Sequence, residues 1–201
     1  MVTVLDAPAG MRWHAYDLGA IDTVAEQRSV YTGAAKRLDF GGNLWTLKLA
    51  TRDQTQAHAA ALEAWCDALR AADAVARLGP PPGYAAQGTT TAETLTLAAA
   101  RAAGASLLAV NGLGAGLTIA AGSYVSIADH LHRVRATVAG GSGDQLQIWP
   151  PLREAAAMGA VVEIGAGVRS LWRLQGRPTR SAISDRPALA APVELQFMEA
   201  I

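Results

Sequence analysis

The chain has a single cysteine, Cys66, in 201 residues, and only two phenylalanines. A lone cysteine excludes an internal disulfide and a cysteine-based zinc site. Charge is scarce as well: Asp, Glu, Lys and Arg make up 17% of the residues, where roughly 25% is usual. Lys plus Arg and Asp plus Glu number 17 each. Neither sign gathers in a block, so nucleic acid and anionic membranes are not implied partners. No run approaches the roughly 20 apolar residues that cross a bilayer. The apolar stretch Ala98–Ala121 is interrupted by Arg101, Asn111 and several glycines. The opening Met1-Val2-Thr3-Val4-Leu5-Asp6 lacks the basic-then-apolar order of a secretory signal. The expectation is a soluble protein made inside the cell, with no membrane insertion.

Apolar material, by contrast, is plentiful. Hydrophobic residues reach 51%, enough for one large or two small domains, each with its own core. So little charge leaves apolar surface over, which favours contact with another subunit.

Much of the chain has the period of strands. Met11, Trp13 and Ala15 alternate with Arg12, His14 and Tyr16, which predicts a half-buried strand over Met11–Asp17 with Trp13 and Ala15 on one face. Arg28–Thr32 is a further short β-type run. Leu44–Ala50 alternates again, with Trp45, Leu47 and Leu49 on one face, after the turn signal Gly41-Gly42. Val75–Leu78, Thr94–Leu97, Leu107–Val110, Tyr124–Ile127, Leu131–Val138, Gln145–Trp149, Ala160–Ile164 and Val168–Leu174 are candidate strands. Val193–Glu199 closes the chain with Val193, Leu195 and Phe197 inward.

One segment has a different period. Leu62, Trp65, Cys66 and Leu69 recur at i, i+3, i+4 and i+7, the apolar stripe of a helix over Gln54–Ala72. Asp53 and Gln56 have the spacing of a capping box at its start. Gly79-Pro80-Pro81-Pro82-Gly83 then marks a boundary that neither a helix nor a central strand can cross. The closing strand needs a sheet to join, and the available partners lie before residue 80. The predicted fold is mainly β with one major helix. A split, β-sandwich-like domain made of residues 1–80 plus 167–201 carries a small β-barrel or sandwich domain, residues 83–166, inserted at a loop.

No residue set in the chain forms a complete catalytic, cofactor or metal site. His130 and His132 would share one face of a strand, a usable metal geometry, but no third ligand is near in sequence. They read instead as two surface imidazoles at a hairpin. Gly112-Leu113-Gly114-Ala115-Gly116 lacks the dinucleotide spacing and is followed by β-like residues, so it reads as a turn. Pro81-Pro82-Gly83-Tyr84 matches a polyproline-recognition text but reads as an interdomain linker. Gly140-Gly141-Ser142-Gly143-Asp144 has no Lys-Ser/Thr after it and reads as a hairpin loop. No Gly-x-Ser-x-Gly elbow supports a hydrolase. Cys66 lies on the helix stripe, where an inert thiol is expected. Trp13, Trp45, Trp65, Trp149 and Trp172 read mostly as core, with one or two available to a subunit contact.

The order and texture resemble the distal tail proteins and related minor tail proteins of long-tailed, siphophage-like bacteriophages and prophages. The likeness runs from about Met11 to Met198. It rests on the Arg28–Val30 run before a strand ending at Ala50, and on the helix of Ala-Leu-Glu-Ala-Trp type (Ala61–Trp65) with its Pro/Gly exit. It rests also on Ala-Gly-Ser-Tyr-Val-Ser-Ile (121–127), Ile-Trp-Pro-Pro-Leu-Arg (148–153) and Pro-Val-Glu-Leu-Gln-Phe-Met-Glu-Ala (192–200). The resemblance implies a structural virion protein, not an enzyme. Its tail-tube-like domain would assemble a homo-oligomeric ring, hexameric in that reading, joining the tail tube to the hub or baseplate at the tail tip. The inserted domain would be OB-like or galectin-like. Implied partners are further copies of the chain, the tail tube protein, hub and baseplate proteins and the tape measure protein, with assembly in the host cytoplasm. The helix Gln54–Ala72 and the strand Val193–Glu199 would serve as scaffold. An alternative is a carbohydrate- or host-surface-binding module with Tyr124 or Trp149 lining an exposed groove.

Overall fold

Alternation decides the architecture. In the computed structural model, which describes residues 2–11, 13–21, 24–28, 30–32, 35–39, 43–71, 73–81, 95–141, 145–180 and 190–200, the first elements are β1 (Thr3–Asp6), β2 (Trp13–Ile21), β3 (Val24–Arg28), β4 (Ala35–Asp39), β5 (Leu44–Thr51), α1 (Gln56–Leu69) and β6 (Ala74–Leu78). Then come β7 (Leu95–Leu97), β8 (Leu107–Asn111), β9 (Thr118–Ile119), β10 (Tyr124–Ile127), β11 (His130–Val134), β12 (Val138–Ala139), β13 (Gln145–Trp149) and β14 (Val161–Glu163). The chain ends with β15 (Ser170–Arg180) and β16 (Val193–Glu199). The expected mainly-β fold with one helix is what the chain forms.

Six strands make one sheet in the order β1-β6-β15-β16-β5-β2. Only the β1–β6 pair is parallel. Strands from both ends of the chain therefore share one sheet, and β16 pairs with β15 on one side and β5 on the other. Leu18, Leu47, Phe197 and Leu174 form one row across its inner face. Helix α1 covers that face with the predicted stripe Leu62, Trp65, Cys66 and Leu69, all buried, and the Trp65 and Phe197 rings lie 6.1 Å apart. Buried Thr51 continues the inner phase of β5, and its hydroxyl accepts from Val193 N–H at 2.9 Å, pinning the start of β16.

Residues 95–163 contain the second body. Strands β10-β11-β13-β8-β7-β14 close into a barrel whose neighbours are all antiparallel. Its core is separate and aliphatic, with Leu95, Leu97, Leu108, Val125, Leu146, Ile148 and Val162 at its centre. Gly140 marks a close backbone approach beside it, because a Cβ there would collide with the Gly114 carbonyl oxygen.

Several boundaries differ from the sequence expectation. The helix starts at Gln56, not Gln54, and ends at Leu69. Gln54 is still extended, bridged to Ala190 by hydrogen bonds in both directions. The cap is therefore Thr55, whose hydroxyl accepts from His58 N–H at 3.3 Å, and the Asp53–Gln56 box does not form. Strand β2 carries a bulge between Trp13 and Ala15. One extra residue reverses the phase, so Tyr16 and Leu18 turn inward and Ala15 outward. The run Arg28–Thr32 is not a strand: the Arg28–Ala35 pair closes the β3–β4 hairpin, and residues 30–32 form a turn. The run Leu131–Val138 splits into β11 and β12, because β12 pairs with β9 outside the barrel and the Thr137 hydroxyl takes the Ala121 N–H. Strand β15 extends to Arg180 through a register shift between Gln175 and Thr179. Gly41-Gly42, Thr94, Pro82-Gly83-Tyr84 and Ser142-Gly143-Asp144 lie outside the described residues.

The cap assignment is testable by urea denaturation. Thr55→Ala is expected to cost about 1 kcal/mol, whereas Asp53→Ala stays within about 0.5 kcal/mol of the parent protein.

Candidate functional site

Two places in the structure stand apart from ordinary core and surface. The first is the junction between sheet and barrel. The inward phase of β16 runs Val193, Leu195, Phe197 and then Glu199, so a carboxylate takes a slot that the alternation reserves for an apolar side chain. The Glu199 side chain is fully buried and both oxygens are engaged. Oε2 accepts from Trp45 N–H at 3.3 Å and from Arg153 Nη2 at 2.6 Å. Oε1 accepts from Leu131 N–H at 3.2 Å. The same Arg153 nitrogen also donates to the Asn43 carbonyl. The Trp45 indole N–H donates to Leu131 O at 2.8 Å, so both backbone groups of this β11 residue are held by the sheet body.

Aromatic edges close the same seam. The Trp45 ring meets Tyr124 at 5.5 Å and Trp149 at 5.1 Å, both edge-on. Farther along, the Ile127–His130 hairpin turns through Ala128 and Asp129, both at positive φ. Its tip is fastened by Leu171 N–H to Asp129 O at 3.1 Å and by Arg77 to the Asp129 carboxylate at 3.7 Å.

His130 and His132 belong to this junction, and His132 is not the surface imidazole the sequence suggested. His132 is buried, with Nδ1 2.8 Å from Pro150 O. A carbonyl can only accept, so Nδ1 carries the proton and Nε2 is bare, buried and without a hydrogen-bond partner among the described residues. Burial pushes His132 down to about 4, outweighing the opposing pull of the Pro150 carbonyl and of Glu199. The ring is neutral at pH 7. His130 Nδ1 stands 3.8 Å from Glu199 Oε1, an ion-pair separation too long for a hydrogen bond. Burial alone would raise the Glu199 carboxyl. The His130 imidazole, the Arg153 guanidinium and the Trp45 N–H outweigh burial and hold it below the ordinary carboxylate range.

The second place is the perimeter of the sheet. Strands β1 and β2 end the strand order, so among the described residues each has one unpaired side. Val4 on β1 and Ile21 on β2 are exposed there. The face of the sheet turned away from α1 carries Val4 and Ile21 at its two edges and polar rows across its middle. Asp17, Lys48, Gln196 and Gln175 form one row across four strands, and Gly19, Thr46, Met198 and Arg173 the next. Val30 and Tyr31 stand almost fully exposed in the turn of the β3–β4 hairpin.

Other features singled out in the sequence fall elsewhere. Gly112 and Gly116 take positive φ in the β8–β9 connection, with no helix after them. Cys66 is buried and its thiol is pushed up to about 11, chiefly by burial. Trp45, Trp65 and Trp172 are core, while Trp13 and Trp149 are half-buried against it. Among the described residues no group of three or more His, Cys, Asp and Glu could hold a metal ion, and no helix is long and apolar enough to cross a membrane. Glu199 and Arg153 were missed as site residues. The available signal was the phase of β16, which predicts that Glu199 faces inward. In comparisons with known proteins, the chain matches no family model and no curated protein.

Removing one partner of a buried ion pair strands the other, at a cost of about 3–5 kcal/mol. Glu199→Leu is expected to lose stability on that scale in denaturant titrations. Glu199→Leu combined with Arg153→Met is expected to lose less than Glu199→Leu alone, because no uncompensated cation is then left in the junction.

Proposed function

We propose that the chain is a structural protein of a bacteriophage tail tip, a distal-tail-type subunit that closes a ring between the tail tube and the hub or baseplate. The observation that supports this reading is the sheet: among the described residues its edge strands β1 and β2 each have an unpaired side, its face toward α1 is apolar, and polar rows cross β2, β5, β16 and β15 on the other face. An open edge offers a row of unpaired N–H and C=O groups to another strand. Joining β1 of one copy to β2 of the next is a heterologous contact, which closes into a ring when the rotation permits. The polar rows would then line a water-filled channel, and the barrel would stand off the ring as a separate lobe.

The low charge content of the chain supports the same reading, since subunit contact removes apolar surface that charge does not cover. Ring partners would be further copies, six in the number that the family resemblance implies, with tail tube, hub and tape measure proteins as neighbours in the virion. A carbohydrate-binding role has less support. Tyr124 is buried and Trp149 half-buried, both against Trp45, so neither lines an exposed groove.

The test is assembly of the purified chain, followed by light scattering and negative-stain microscopy. Rings of several copies are expected, and Val4→Lys or Ile21→Lys is expected to abolish them while leaving thermal stability within a few degrees of the parent protein. A chain that stays monomeric at high concentration, alone and with tail tube protein, would overturn the proposal.

A further inference from the structure

Asparagine is rare in this chain, and its two copies stand in opposite settings. Asn43 is buried at the junction, is followed by Leu44, and its carbonyl accepts from Arg153. Asn111 is exposed at the end of β8 and is followed by Gly112, the one Asn-Gly pair in the sequence. Gly112 has a φ of 96°, a conformation that residues with side chains rarely adopt.

We propose that Asn111 is a self-modifying site: in the folded protein its side-chain amide is exchanged for a carboxylate through a cyclic imide closed by Gly112. This does not depend on the tail-tip reading.

The Gly112 main-chain nitrogen gives its proton to hydroxide and attacks Asn111 Cγ. The new N–Cγ bond closes a succinimide ring, the Cγ–Nδ2 bond breaks, and Nδ2 takes a proton from water and leaves as ammonia. Water then opens the ring at either carbonyl. Opening at Cγ gives aspartate in the ordinary main chain. Opening at the main-chain carbonyl gives isoaspartate, in which the main chain runs through Cγ. The sum is amide plus water to acid plus ammonia, with neither oxidant nor cofactor.

The fold leaves this route open with the barrel intact. The amide is exposed to water, and glycine puts no Cβ beside the attacking nitrogen. The remaining requirement is mechanical. Attack needs ψ of Asn111 to leave the extended range that its pairing with Thr96 imposes. That ψ and the φ of Gly112 flank one peptide unit. Opposite rotations about them turn the unit over while Val110 and Leu113, both in the barrel core, stay seated. Gly112 accepts the changed φ because it has no side chain. What is given up is the last rung of the β7–β8 ladder, and the Leu97–Val110 rung beneath it remains. Losing one net hydrogen bond lowers the population of the reactive form about tenfold. If the whole body had to unfold first, the reaction would be slowed about a thousandfold or more.

Gln175-Gly176 provides the internal comparison. It is exposed too, with Gly176 at a φ of 65°. Its side chain is one methylene longer, so attack would have to close the larger glutarimide ring, a far slower reaction. The product at 111 changes the barrel exterior. Either acid adds a negative charge beside Thr96, with Val161 beyond it in the same row, to a chain whose acidic and basic residues balance at 17 each. Isoaspartate also inserts an extra main-chain atom just ahead of Leu113.

The experiment is incubation of the full chain at mildly alkaline pH in heavy-oxygen water, folded and in urea, followed by peptide mass spectrometry. Circular dichroism monitors that the first sample stays folded. In the folded chain Asn111 is expected to convert at a rate within about tenfold of that in urea, and faster as pH rises. Aspartate and isoaspartate both appear, each carrying one heavy oxygen, while Asn43 and Gln175 remain amides. Asn111→Gln abolishes the conversion. If that variant does not fold, the comparison with Gln175 in the parent chain replaces it. Folded-state conversion slowed well beyond tenfold, toward the thousandfold of global unfolding, would overturn the proposal. So would aspartate without isoaspartate, or conversion of Asn43 at the rate of Asn111.

Discussion

One buried carboxylate fixes how the two halves of this molecule meet. Glu199 is fully enclosed and draws in a backbone N–H from each half together with the Arg153 guanidinium. Apolar burial acts beside it, since Leu131 and Tyr124 of the barrel are buried in the core cluster of the sheet. Aromatic edge contacts such as Trp45–Tyr124 are worth about 0.5–1.5 kcal/mol beyond their buried area, and a partly exposed ion pair such as Arg77–Asp129 at most about 1 kcal/mol. A buried charge left without its partner costs several times more. The orientation of barrel on sheet therefore has to satisfy Glu199 together with the buried Leu131 and Tyr124 side chains.

The two bodies also differ in how far the chain must reach to build them. Every barrel strand finds its neighbours within residues 95–163. The sheet has to bring Leu195 beside Leu49 and Trp172 beside Ala76, across the whole barrel segment. Closure entropy grows only with the logarithm of loop length, and a barrel folded in advance shortens the effective span between those strands. The junction is divided in the same way: Leu131 and Arg153 lie within or beside the barrel, and Glu199 on β16 of the sheet.

Much of the fold was legible because side-chain period tracks burial. The helix stripe Leu62, Trp65, Cys66 and Leu69 and the alternation of β5 and β16 are one-body signals, visible in any window of the chain. What was missed depends on partners distant in sequence. The bulge in β2 exists because Trp13 and Ala15 face neighbouring residues of β5, and no local pattern announces it. Thr55 caps the helix only because Ala190 keeps Gln54 extended. Val30, Tyr31 and Thr32 have strand-forming side chains, yet the pairing of Arg28 with Ala35 places them in a turn. The pairing of Glu199 with Arg153 joins residues on different bodies, so their spacing in the chain carries no trace of it. Only the inward phase of Glu199 was readable, as a charge in an apolar slot.

The strained turn at Ala128–Asp129 belongs to the same design. Non-glycine residues at positive φ are disfavoured and persist where surrounding contacts over-determine them. Here the contacts are those of the junction: Asp129 O holds Leu171 N–H, and two residues later the Leu131 backbone holds Glu199 and the Trp45 indole. Five hydrogen-bonding and ionic attachments, the His130 approach to Glu199 included, thus fall on one hairpin, and three of them use its backbone. A backbone attachment constrains φ and ψ but leaves the side chain free to change. Exposed Leu107, Met158 and Val161 of the barrel take no part in these attachments. Docking is concentrated in residues 124–131, in Trp45, Trp149 and Arg169, and in the Arg153–Glu199 pair.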